Sequence, residues 1–401
     1  MPEAGDVKTV VVGVSGGIAC YKALELVRLL VQDGFHVQVI MTREAMEFVT
    51  PLTFQTLSGH PVASEIFSLT QESEIGHINL ADRADILVIT PATANIIGKI
   101  AAGIADDLLT TVVMATRAPV LFAPSMNVHM FNNPIFQENI RKLTRVGYHF
   151  MEPVEGYLAC GYEGKGRLPE PSDIVDEIQG LLKKKDLTGE RLLITAGPNH
   201  EPLDPVRYIS NRSSGKMGYA LARQGLRRGG EVTLISGPTS LVPPSKARFI
   251  SVRTAAEMRE AVLGEFKNAT TVLMAAAVAD YHPDQVPRKI KKDQGTIELR
   301  LRPNPDILKE IGSRKDGKIL VGFAAETDAL VANAKKKLRE KNLDLIVAND
   351  VTQQGSGFEG DTNVATLLDR EGQVHPLPLM TKDELADRIY DYLLVLKSKK
   401  K

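Results

Sequence analysis

Residues 10–30 read VVVGVSGGIACYKALELVRLL, an apolar run that meets a glycine-rich corner and then an amphipathic pattern. The three valines at the start are β-branched and continuous, which is typical of a strand buried on both faces of a parallel sheet. Leu24, Val27 and Leu30 recur at helical spacing, and Gly34 stands where such a helix should end. The stretch therefore predicts a strand, a tight turn and a helix.

The turn itself contains Gly13, Ser15, Gly16 and Gly17. Glycine lets the backbone approach a ligand closely, and the free N–H groups at the start of a helix attract an anion. The order G-x-x-G-G differs from the G-x-G-x-x-G pattern of dinucleotide-binding folds, so it disfavours a dinucleotide ligand. From this stretch alone, a phosphate site and a purely structural turn are both open interpretations.

Length and composition limit the class of protein. A chain of 401 residues predicts two or three domains, with two as the first expectation. Its 49 basic and 49 acidic residues balance, so no overall field favours nucleic acid or an anionic membrane as a partner. Two cysteines are too few for a disulfide framework, and no apolar run approaches the roughly 18 residues that span a bilayer. We therefore expect a cytoplasmic protein without a membrane segment.

The first part of the chain alternates apolar runs with helical segments. Residues 37–41, 86–90 and 120–123 predict further strands, which makes a doubly wound α/β sheet. Ligands collect at the carboxyl ends of such strands, and small polar residues follow these runs here. Beyond residue 151 the chain is rich in glycine and proline without regular periodicity, which predicts a mobile flap.

A second α/β domain is predicted after a helix that opens at Pro171 and a linker at residues 186–189. The expected domains are therefore residues 1–188 and 189–401, both doubly wound and Rossmann-like. Strands are expected at residues 192–195, 232–236, 272–276, 319–323 and 345–348, and helices at 257–266 and 330–341. The terminal lysines 397–401 predict a solvated tail.

Several residues could carry chemistry in this framework. Residues 211–218, NRSSGKMG, open a helix near Ser214 with hydroxyls, glycines and one cation, which indicates a phosphate site other than a Walker loop. His77, Asn127 and Cys160 offer a base, an amide and a thiol proton donor, if the fold brings them together. Taken singly, His77 can be a packed or surface histidine, Asn127 a helix cap and Cys160 an inert thiol.

Taken in order, the motifs of the first half resemble the flavin-dependent cysteine decarboxylase family. They are GVSGGIA from Gly13, HINL from His77, TPATAN from Thr90, PSMN from Pro124 and LACG from Leu158. The second half is similar to the phosphopantothenoylcysteine synthetase family through EPLDPVR, NRSSGKMG, AAAVADY, KIKK, NPDI and GFAAET. End to end, the chain resembles the bifunctional coenzyme A biosynthesis family.

The first resemblance implies that residues 1–188 bind FMN and decarboxylate 4'-phosphopantothenoylcysteine to 4'-phosphopantetheine. His77 would be the base in thiol oxidation, Asn127 would hold the carboxylate and Cys160 would protonate the enethiolate. Met130 would contact the substrate. The implied FMN site consists of Gly13, Ser15, Gly16, Gly17, Ile18, Thr42, Thr90, Pro91, Ala92, Thr93, Asn95, Ser125 and Met126.

The second resemblance implies that residues 189–401 activate 4'-phosphopantothenate with CTP and Mg²⁺ and join it to L-cysteine. Asn211 would lie near the acyl-cytidylate, Lys289 would take part in catalysis, and Mg²⁺ would be held mainly by the CTP phosphates. The residues implied at the substrates are Arg207, Ser213, Ser214, Gly215, Lys216, Met274, Ala275, Ala276, Asp280, Lys289, Pro305, Asp306, Ile307, Leu308, Phe323, Lys337 and Lys341. Composition alone would instead favour solvated faces for the lysines.

The resemblance also implies a homo-oligomer, with trimeric flavoprotein contacts and dimeric synthetase contacts. Two other functions are compatible with the fold. An NAD-linked dehydrogenase is disfavoured by the glycine spacing and by the lack of an acidic residue closing the strand at residues 37–41. A regulatory flavoprotein without catalysis is disfavoured by the joint presence of His77, Asn127 and Cys160.

Overall fold

The structure is a computed structural model that describes residues 7–66, 76–157, 161–291, 298–326, 330–350 and 360–400. It separates into two compact units, Met1–Lys183 and Lys184–Lys401. Each unit is built around its own mainly parallel sheet, with helices on both faces. This confirms the predicted α/β class with two doubly wound domains.

The first unit contains strands β1 to β7 and helices α1 to α9. In chain order its elements are β1 Thr9–Val14, α1 Cys20–Gln32, β2 His36–Met41, α2 Arg43–Met46, α3 Pro51–Ser58, α4 Gly76–Arg83, β3 Ile86–Ala92, α5 Ala94–Ala102, α6 Leu108–Ala115, β4 Val120–Pro124, α7 Val128–Phe131, α8 Pro134–Arg145, β5 His149–Phe150, β6 Val154–Tyr157, β7 Glu163–Arg167 and α9 Pro171–Leu182.

The main sheet of this unit has the strand order β2-β1-β3-β4-β5, and its pairings are parallel. Alternate residues of β1 face opposite sides: Val10 and Val12 pack with α1 and α9, whereas Val11 packs with α5 and α6. Both faces of β1 are thus buried, as the run of valines predicted. The strand order reverses between β1 and β3, which places a ligand crevice at their carboxyl ends.

The second unit contains strands β8 to β21 and helices α10 to α14. Its elements are β8 Arg191–Ala196, β9 His200–Pro202, β10 Tyr208–Ser210, α10 Lys216–Arg227, β11 Glu231–Ser236, β12 Arg248–Ser251, α11 Ala255–Phe266, β13 Thr271–Met274, β14 Tyr281–Pro283, β15 Leu301–Pro303, α12 Ile307–Ser313, β16 Ile319–Glu326, α13 Leu330–Glu340, β17 Leu345–Asp350, β18 Thr362–Asn363, β19 Ala365–Asp369, β20 Val374–Pro376, β21 Met380–Thr381 and α14 Lys382–Lys400.

The central sheet of this unit runs β12-β11-β8-β13-β16-β17-β19-β20. The pairings are parallel from β12 to β17, and β19 and β20 then add antiparallel strands. One face packs against α10 and α14, and the other against α11, α12 and α13. The order reverses between β8 and β13, so a second crevice opens at the carboxyl ends of these strands.

Three local expectations differ from the structure. Residues 154–157 and 163–167, which the sequence placed in a mobile flap without regular periodicity, pair as the antiparallel strands β6 and β7. Residues 186–189, expected to be a free linker, lie on the second unit, where Leu187 is buried and its N–H donates to the Arg228 carbonyl. The terminal lysines up to Lys400 belong to α14, and Lys397 forms an ion pair with Glu190.

Candidate active sites

A cavity of about 570 Å³ lies at the carboxyl ends of β1 to β4 in the first unit. It brings together most of the residues that the sequence assigned to FMN and its substrate. The assigned residues that line it are Ser15, Gly16, Gly17, Ile18, Thr42, Thr93, Asn95, Ser125, Met126, Asn127 and Met130.

The loop after β1 is fixed to the loop after β3 through the buried hydroxyl of Ser15. This hydroxyl lies 2.7 Å from the Pro91 carbonyl, to which it donates, and 3.1 Å from Thr93 Oγ1. It also accepts the Thr93 backbone N–H at 3.1 Å. Since a hydroxyl has a single proton, Ser15 positions the loop while the backbone N–H groups beyond it remain the natural donors to an anion.

Gly16 shows why the corner needs glycine. A Cβ at this position would lie 2.3 Å from Glu44 Cβ and 2.8 Å from the Glu44 carbonyl carbon. At Gly17, by contrast, the nearest atom would be Thr93 Cγ2 at 3.5 Å, which is an ordinary contact. The backbone at Gly16 can therefore approach α2 only without a side chain.

Asn127 combines two of the roles considered from the sequence. Its Oδ1 accepts the His129 N–H at 2.8 Å and so caps α7, and the residue also lines the cavity. Asn133 caps a separate helix, α8. With Oδ1 engaged by the cap, the Nδ2 amide of Asn127 is the group suited to donate to a substrate carboxylate.

Other assigned residues do not line this cavity. Gly13, Thr90, Pro91 and Ala92 are buried in or next to the sheet, where a Cβ on Gly13 would lie 2.4 Å from Leu109 Cδ1. His77 is half-buried in α4, away from the cavity of its own chain. Cys160 lies outside the described residues.

Sequence reasoning missed part of the cavity wall. The additional lining residues are Ala19, Tyr21, Lys22, Glu44, Ala94, Ile96, Asp107, Tyr157, Gly166, Arg167 and Leu168. Lys22 is held by an ion pair with Glu170, with 2.8 Å between Nζ and Oε1. The position of Lys22 in the first turn of α1, the helix that follows the glycine-rich turn, was a signal that could have identified it.

A second cavity, of about 600 Å³, lies at the carboxyl ends of β13, β16 and β17 in the second unit. It gathers residues from motifs more than 100 positions apart in the chain. The assigned residues that line it are Asn211, Ser213, Gly215, Lys216, Met274, Ala275, Ala276, Asp280, Pro305, Asp306, Ile307, Leu308, Phe323, Lys337 and Lys341.

Two asparagines hold the segment after β13. Asn211 Nδ2 donates to the Ala277 carbonyl at 2.9 Å, and Asn304 Nδ2 donates to the Ala279 carbonyl at 2.8 Å. The Asn304 N–H also donates to the Asp280 carbonyl at 2.8 Å. The backbone beside Asp280 is thus fixed from two sides of the cavity.

One side of the cavity carries the ion pair of Lys341 with Asp306, with 3.0 Å between Nζ and Oδ2. Burial by itself would raise the pKa of Asp306. The Lys309 N–H and the Lys341 ammonium outweigh it, so the pKa of this carboxyl is lowered. Asp306 therefore stays ionised and holds the Lys341 ammonium at the cavity wall.

Three assigned residues lie away from the second cavity as the described residues define it. Ser214 is half-buried, whereas Arg207 and Lys289 are exposed. The wall includes further residues that sequence reasoning missed: Arg212, Met217, Ala277, Val278, Ala279, Asn304, Ala324, Asn349, Asn363 and Lys382. The position of Asn349 at the end of the strand run 345–348 was a signal that could have identified it.

The described parts of the chain contain no helix long and apolar enough to cross a membrane. Within the same residues, no group of three or more His, Cys, Asp or Glu side chains is arranged to hold a metal ion.

Comparison with known families matches both halves of the chain. The Flavoprotein family model matches residues 2–183, and the model described as the DNA/pantothenate metabolism flavoprotein C-terminal domain matches residues 187–396. Among solved structures, the C-terminal domain of a coenzyme A biosynthesis bifunctional protein CoaBC is 43% identical, with a TM-score of 0.47 over 53% of this chain and 98% of that chain. The FMN-dependent cysteine decarboxylase SpaF is 33% identical, with a TM-score of 0.37 over 40% of this chain and 90% of that chain.

Curated relatives match over nearly the whole length. The coenzyme A biosynthesis bifunctional protein CoaBC of Bacillus subtilis (strain 168) is 50% identical over 394 residues, which is 97% of each chain. The protein of the same name from Escherichia coli (strain K12) is 44% identical over 393 residues, 96% of this chain and 97% of its own. The chain therefore belongs to the bifunctional coenzyme A biosynthesis family, enzymes that join a flavoprotein decarboxylase domain to a ligase domain.

Proposed function

We propose that the C-terminal unit joins 4'-phosphopantothenate to L-cysteine through an acyl-cytidylate made from CTP, and that the N-terminal unit decarboxylates the product with FMN. The observation that carries this proposal is the pair of cavities. Each opens at the carboxyl ends of parallel strands and is lined by the residues that the motifs single out for its reaction.

The geometry of the first cavity fits a mononucleotide phosphate. Ser15, Gly16 and Gly17 line the cavity just before α1 begins, so the backbone N–H groups at the start of this helix would face an anion bound there. A bound FMN would supply reversible hydride acceptance, so that oxidation of the substrate thiol to a thioaldehyde creates the electron sink that loss of the carboxylate requires. Ser15 and Thr93 would keep the loop in its binding conformation through their mutual hydrogen bonds.

Three residues of this chain would bind the substrate carboxylate or transfer protons. Asn127 would hold the carboxylate through its Nδ2 amide, because Oδ1 is used by the α7 cap. His77 would accept the thiol proton, and Cys160 would return a proton to the enethiolate. These two roles follow from the family motifs.

Among the described residues, His77 does not line the cavity of its own chain, and a site shared between copies would bring it there. The cavity is bordered by exposed apolar side chains: Ile18 is 61%, Tyr21 60% and Tyr157 74% exposed. Exposed apolar surface of this kind is found at ligand-binding grooves and at protein–protein interfaces, so it is compatible with a second copy that covers the cavity. We therefore include trimeric contacts of the flavoprotein units in the proposal, and dimeric contacts of the ligase units by family resemblance.

In the second cavity, Lys337 and Lys341 would balance the charge of the triphosphate, with Mg²⁺ held mainly by its phosphates. A free carboxylate is a poor acyl donor, so transfer of CMP to it supplies the leaving group that cysteine displaces. Asn211 would keep the Ala277 segment in place beside the acyl-cytidylate. Lys289 would reach the reacting phosphates from the 286–291 segment.

The direct test is an assay of the purified full chain with 4'-phosphopantothenate, L-cysteine, CTP and Mg²⁺, following pyrophosphate, CMP and carbon dioxide. We expect carbon dioxide release that depends on CTP and on cysteine. Release of pyrophosphate without carbon dioxide would contradict the decarboxylase assignment, and no pyrophosphate would contradict the ligase assignment.

Two variants test the ligase and decarboxylase activities separately. Asn211→Asp places a carboxylate opposite the Ala277 carbonyl, so amide formation should fall while supplied 4'-phosphopantothenoylcysteine is still decarboxylated. Cys160→Ser should stop decarboxylation before completion while the protein keeps its yellow flavin colour. Full turnover by Cys160→Ser would exclude the thiol as the proton donor.

A further inference from the structure

The wall of the second cavity includes a segment without regular structure between β13 and β14. Residues 275–280 of this segment all line the cavity. The Ala277 N–H still donates to the Gly197 carbonyl at 3.0 Å, next to β8. The carbonyls of Ala279 and Asp280 instead accept from Asn304, which follows β15. Near Asp280 the shape of the wall therefore depends on Asn304.

Asn304 is held in one orientation by its neighbours. One atom of its side-chain amide lies 2.8 Å from the Ala279 carbonyl oxygen, which can only accept a hydrogen bond. The atom that faces Ala279 must therefore be the nitrogen Nδ2, and Oδ1 is left on the other side of the amide as an acceptor. A flipped amide would set two acceptors against each other.

His282 supplies the donor for this oxygen. Its Nδ1 lies 2.8 Å from Asn304 Oδ1, and the residue is partly buried. Because Oδ1 accepts, Nδ1 must carry a proton, and the neutral imidazole is then the Nδ1–H tautomer with Nε2 as an acceptor. The contact of Asn304 with Ala279 thus determines the tautomer of His282.

The bond lies at the base of a two-stranded arm formed by β14 and β15. β14 leaves the cavity directly after Asp280, and β15 ends directly before Asn304. His282 is paired with Arg302 in the antiparallel register of the arm. The Asn304 N–H donates to the Asp280 carbonyl at 2.8 Å, so the backbone pairing continues to the cavity wall. His282 adds a side-chain bond between the arm and this wall.

We infer that His282, as its Nδ1–H tautomer, is a positioning residue of the ligase unit that orients Asn304 and so fixes the backbone of residues 279–280 beside the nucleotide. This role rests on the proposed ligase function, in which the cavity binds CTP. The AAAVADY motif ends at Tyr281, one residue before His282, so the motifs assign His282 no role.

The bond affects binding because the amide of Asn304 can rotate. Without the His282 donor, Oδ1 loses this partner, and the amide gains orientations in which Nδ2 no longer reaches the Ala279 carbonyl. The backbone beside Asp280 would then sample more conformations, and a nucleotide would bind only the fraction that has the correct one. The loss should therefore weaken nucleotide binding and leave the reaction rate at saturating CTP nearly unchanged.

The test compares two neutral replacements of similar shape. In His282→Asn, the side-chain Nδ2 stands near the place of the imidazole Nδ1 and can donate to Asn304, whereas His282→Leu has no donor. Calorimetry of the full chain with CTP and Mg²⁺ measures binding without turnover. We expect His282→Leu to bind CTP about fivefold more weakly, the effect of losing one neutral hydrogen bond, and His282→Asn to stay within about twofold. In pyrophosphate release, the KM for CTP should rise in His282→Leu while kcat stays within about twofold.

Arg302→Met is the matched control on the same arm. Arg302 is the register partner of His282, but its side chain is exposed and pairs with Asp284 at 2.6 Å. Its replacement alters the arm without removing the bond to Asn304, so CTP binding should stay within about twofold. An equal loss of affinity in Arg302→Met and His282→Leu would assign the effect to the whole arm and overturn the role of His282.

Nitrogen NMR of the full chain with labelled histidines tests the tautomer without any activity. The signals that disappear in His282→Leu, or in His282→Asn if the first variant does not fold, belong to His282. At mildly alkaline pH we expect them to show a protonated Nδ1 and an unprotonated Nε2. The opposite tautomer, or unchanged CTP binding in His282→Leu, would overturn the inference. If the unmodified protein neither binds CTP nor releases pyrophosphate, the ligase proposal is wrong, and the NMR result still decides the tautomer.

Discussion

Asp204 Oδ2 accepts the backbone N–H of Ile290 at 3.2 Å, which fixes the residue directly after Lys289. The other oxygen of Asp204 accepts the N–H groups of Val206 and Arg207 at 2.8 and 2.7 Å. Arg207 Nη2 in turn donates to the Ile290 carbonyl at 2.9 Å. The segment that carries Lys289 is therefore held by both hydrogen-bonding groups of Ile290, although Lys289 itself is exposed.

Asp204 is ionised in this arrangement. Burial would raise the pKa of its carboxyl, but the N–H groups of Val206, Ile290 and Arg207 outweigh burial and lower it. A lowered pKa means that the contribution of this carboxylate is present at neutral pH and is lost only as the pH falls below the usual aspartate range.

We predict that Asp204→Asn lowers the kcat of the ligase reaction about tenfold, as expected when a charge-assisted bond to a positioning segment is weakened. The KM for CTP should change little, because the nucleotide contacts remain. The measurement is steady-state pyrophosphate release, with decarboxylation of supplied 4'-phosphopantothenoylcysteine as an internal standard that should not change.

Asp284→Asn is the matched control for this prediction. Asp284 lies close to the same segment but is exposed and pairs with Arg302 at 2.6 Å. Its replacement should leave kcat within about twofold, because exposed ion pairs contribute little. An equal loss of kcat in Asp204→Asn and Asp284→Asn would show that any change of charge near this segment impairs the reaction. That outcome would contradict a specific role for Asp204.

Continuous apolar runs made the fold predictable. The strands β1, β8 and β16 are buried on both faces, and such runs have few alternatives to the centre of a parallel sheet. The hairpin of β6 and β7 was not predicted, since β7 reads EGKGR and has no side-chain periodicity. The terminal lysines were not expected to be helical, because the Glu190 partner of Lys397 is more than 200 residues away in sequence.

The site residues were predictable only in part, because some of them are placed by contacts between residues that are far apart in the sequence. Residues directly after a strand or at a glycine corner, such as Ser125 and Ser15, have a local signature. Lys382 has none, because it begins α14, which follows the antiparallel strands that extend the sheet. Lys289 was assigned to the site by resemblance, and its segment is placed by Asp204, a contact between residues 86 positions apart.

Gly16 gives a prediction for the first unit. Gly16→Ala should reduce flavin bound on purification strongly, because the added Cβ would lie 2.3 Å from Glu44 Cβ and push the loop away from α2. Gly17→Ala, whose Cβ would meet Thr93 Cγ2 at 3.5 Å, is the control from the same loop. Flavin absorbance per protein measures both. Full flavin content in Gly16→Ala would show that the loop can move to accommodate the added methyl group and still bind flavin, which would contradict the prediction.

The stability of the second unit should depend on Arg228. This guanidinium is buried, donates to both oxygens of Asp186 at 2.8 Å and lies 2.8 Å from Asp391 Oδ1. Burial would lower its pKa, but the carboxylates of Asp186 and Asp391 outweigh burial and raise it. Arg228, at the end of α10, thus links Asp186 in the segment before β8 to Asp391 in α14.

Arg228→Met should lower the free energy of unfolding of this unit by about 2–3 kcal/mol at neutral pH, because carboxylates lose a buried charged donor. Arg228 lowers the pKa of Asp186, so the stabilisation disappears as pH falls through and below the usual aspartate range, and the variants should converge there. Arg248→Met, which breaks an ion pair with Glu265 from a side chain that is 65% exposed, should cost about 0.5 kcal/mol or less. Denaturant unfolding at two pH values measures these differences, and equal costs for Arg228→Met and Arg248→Met would contradict the role of the buried pair.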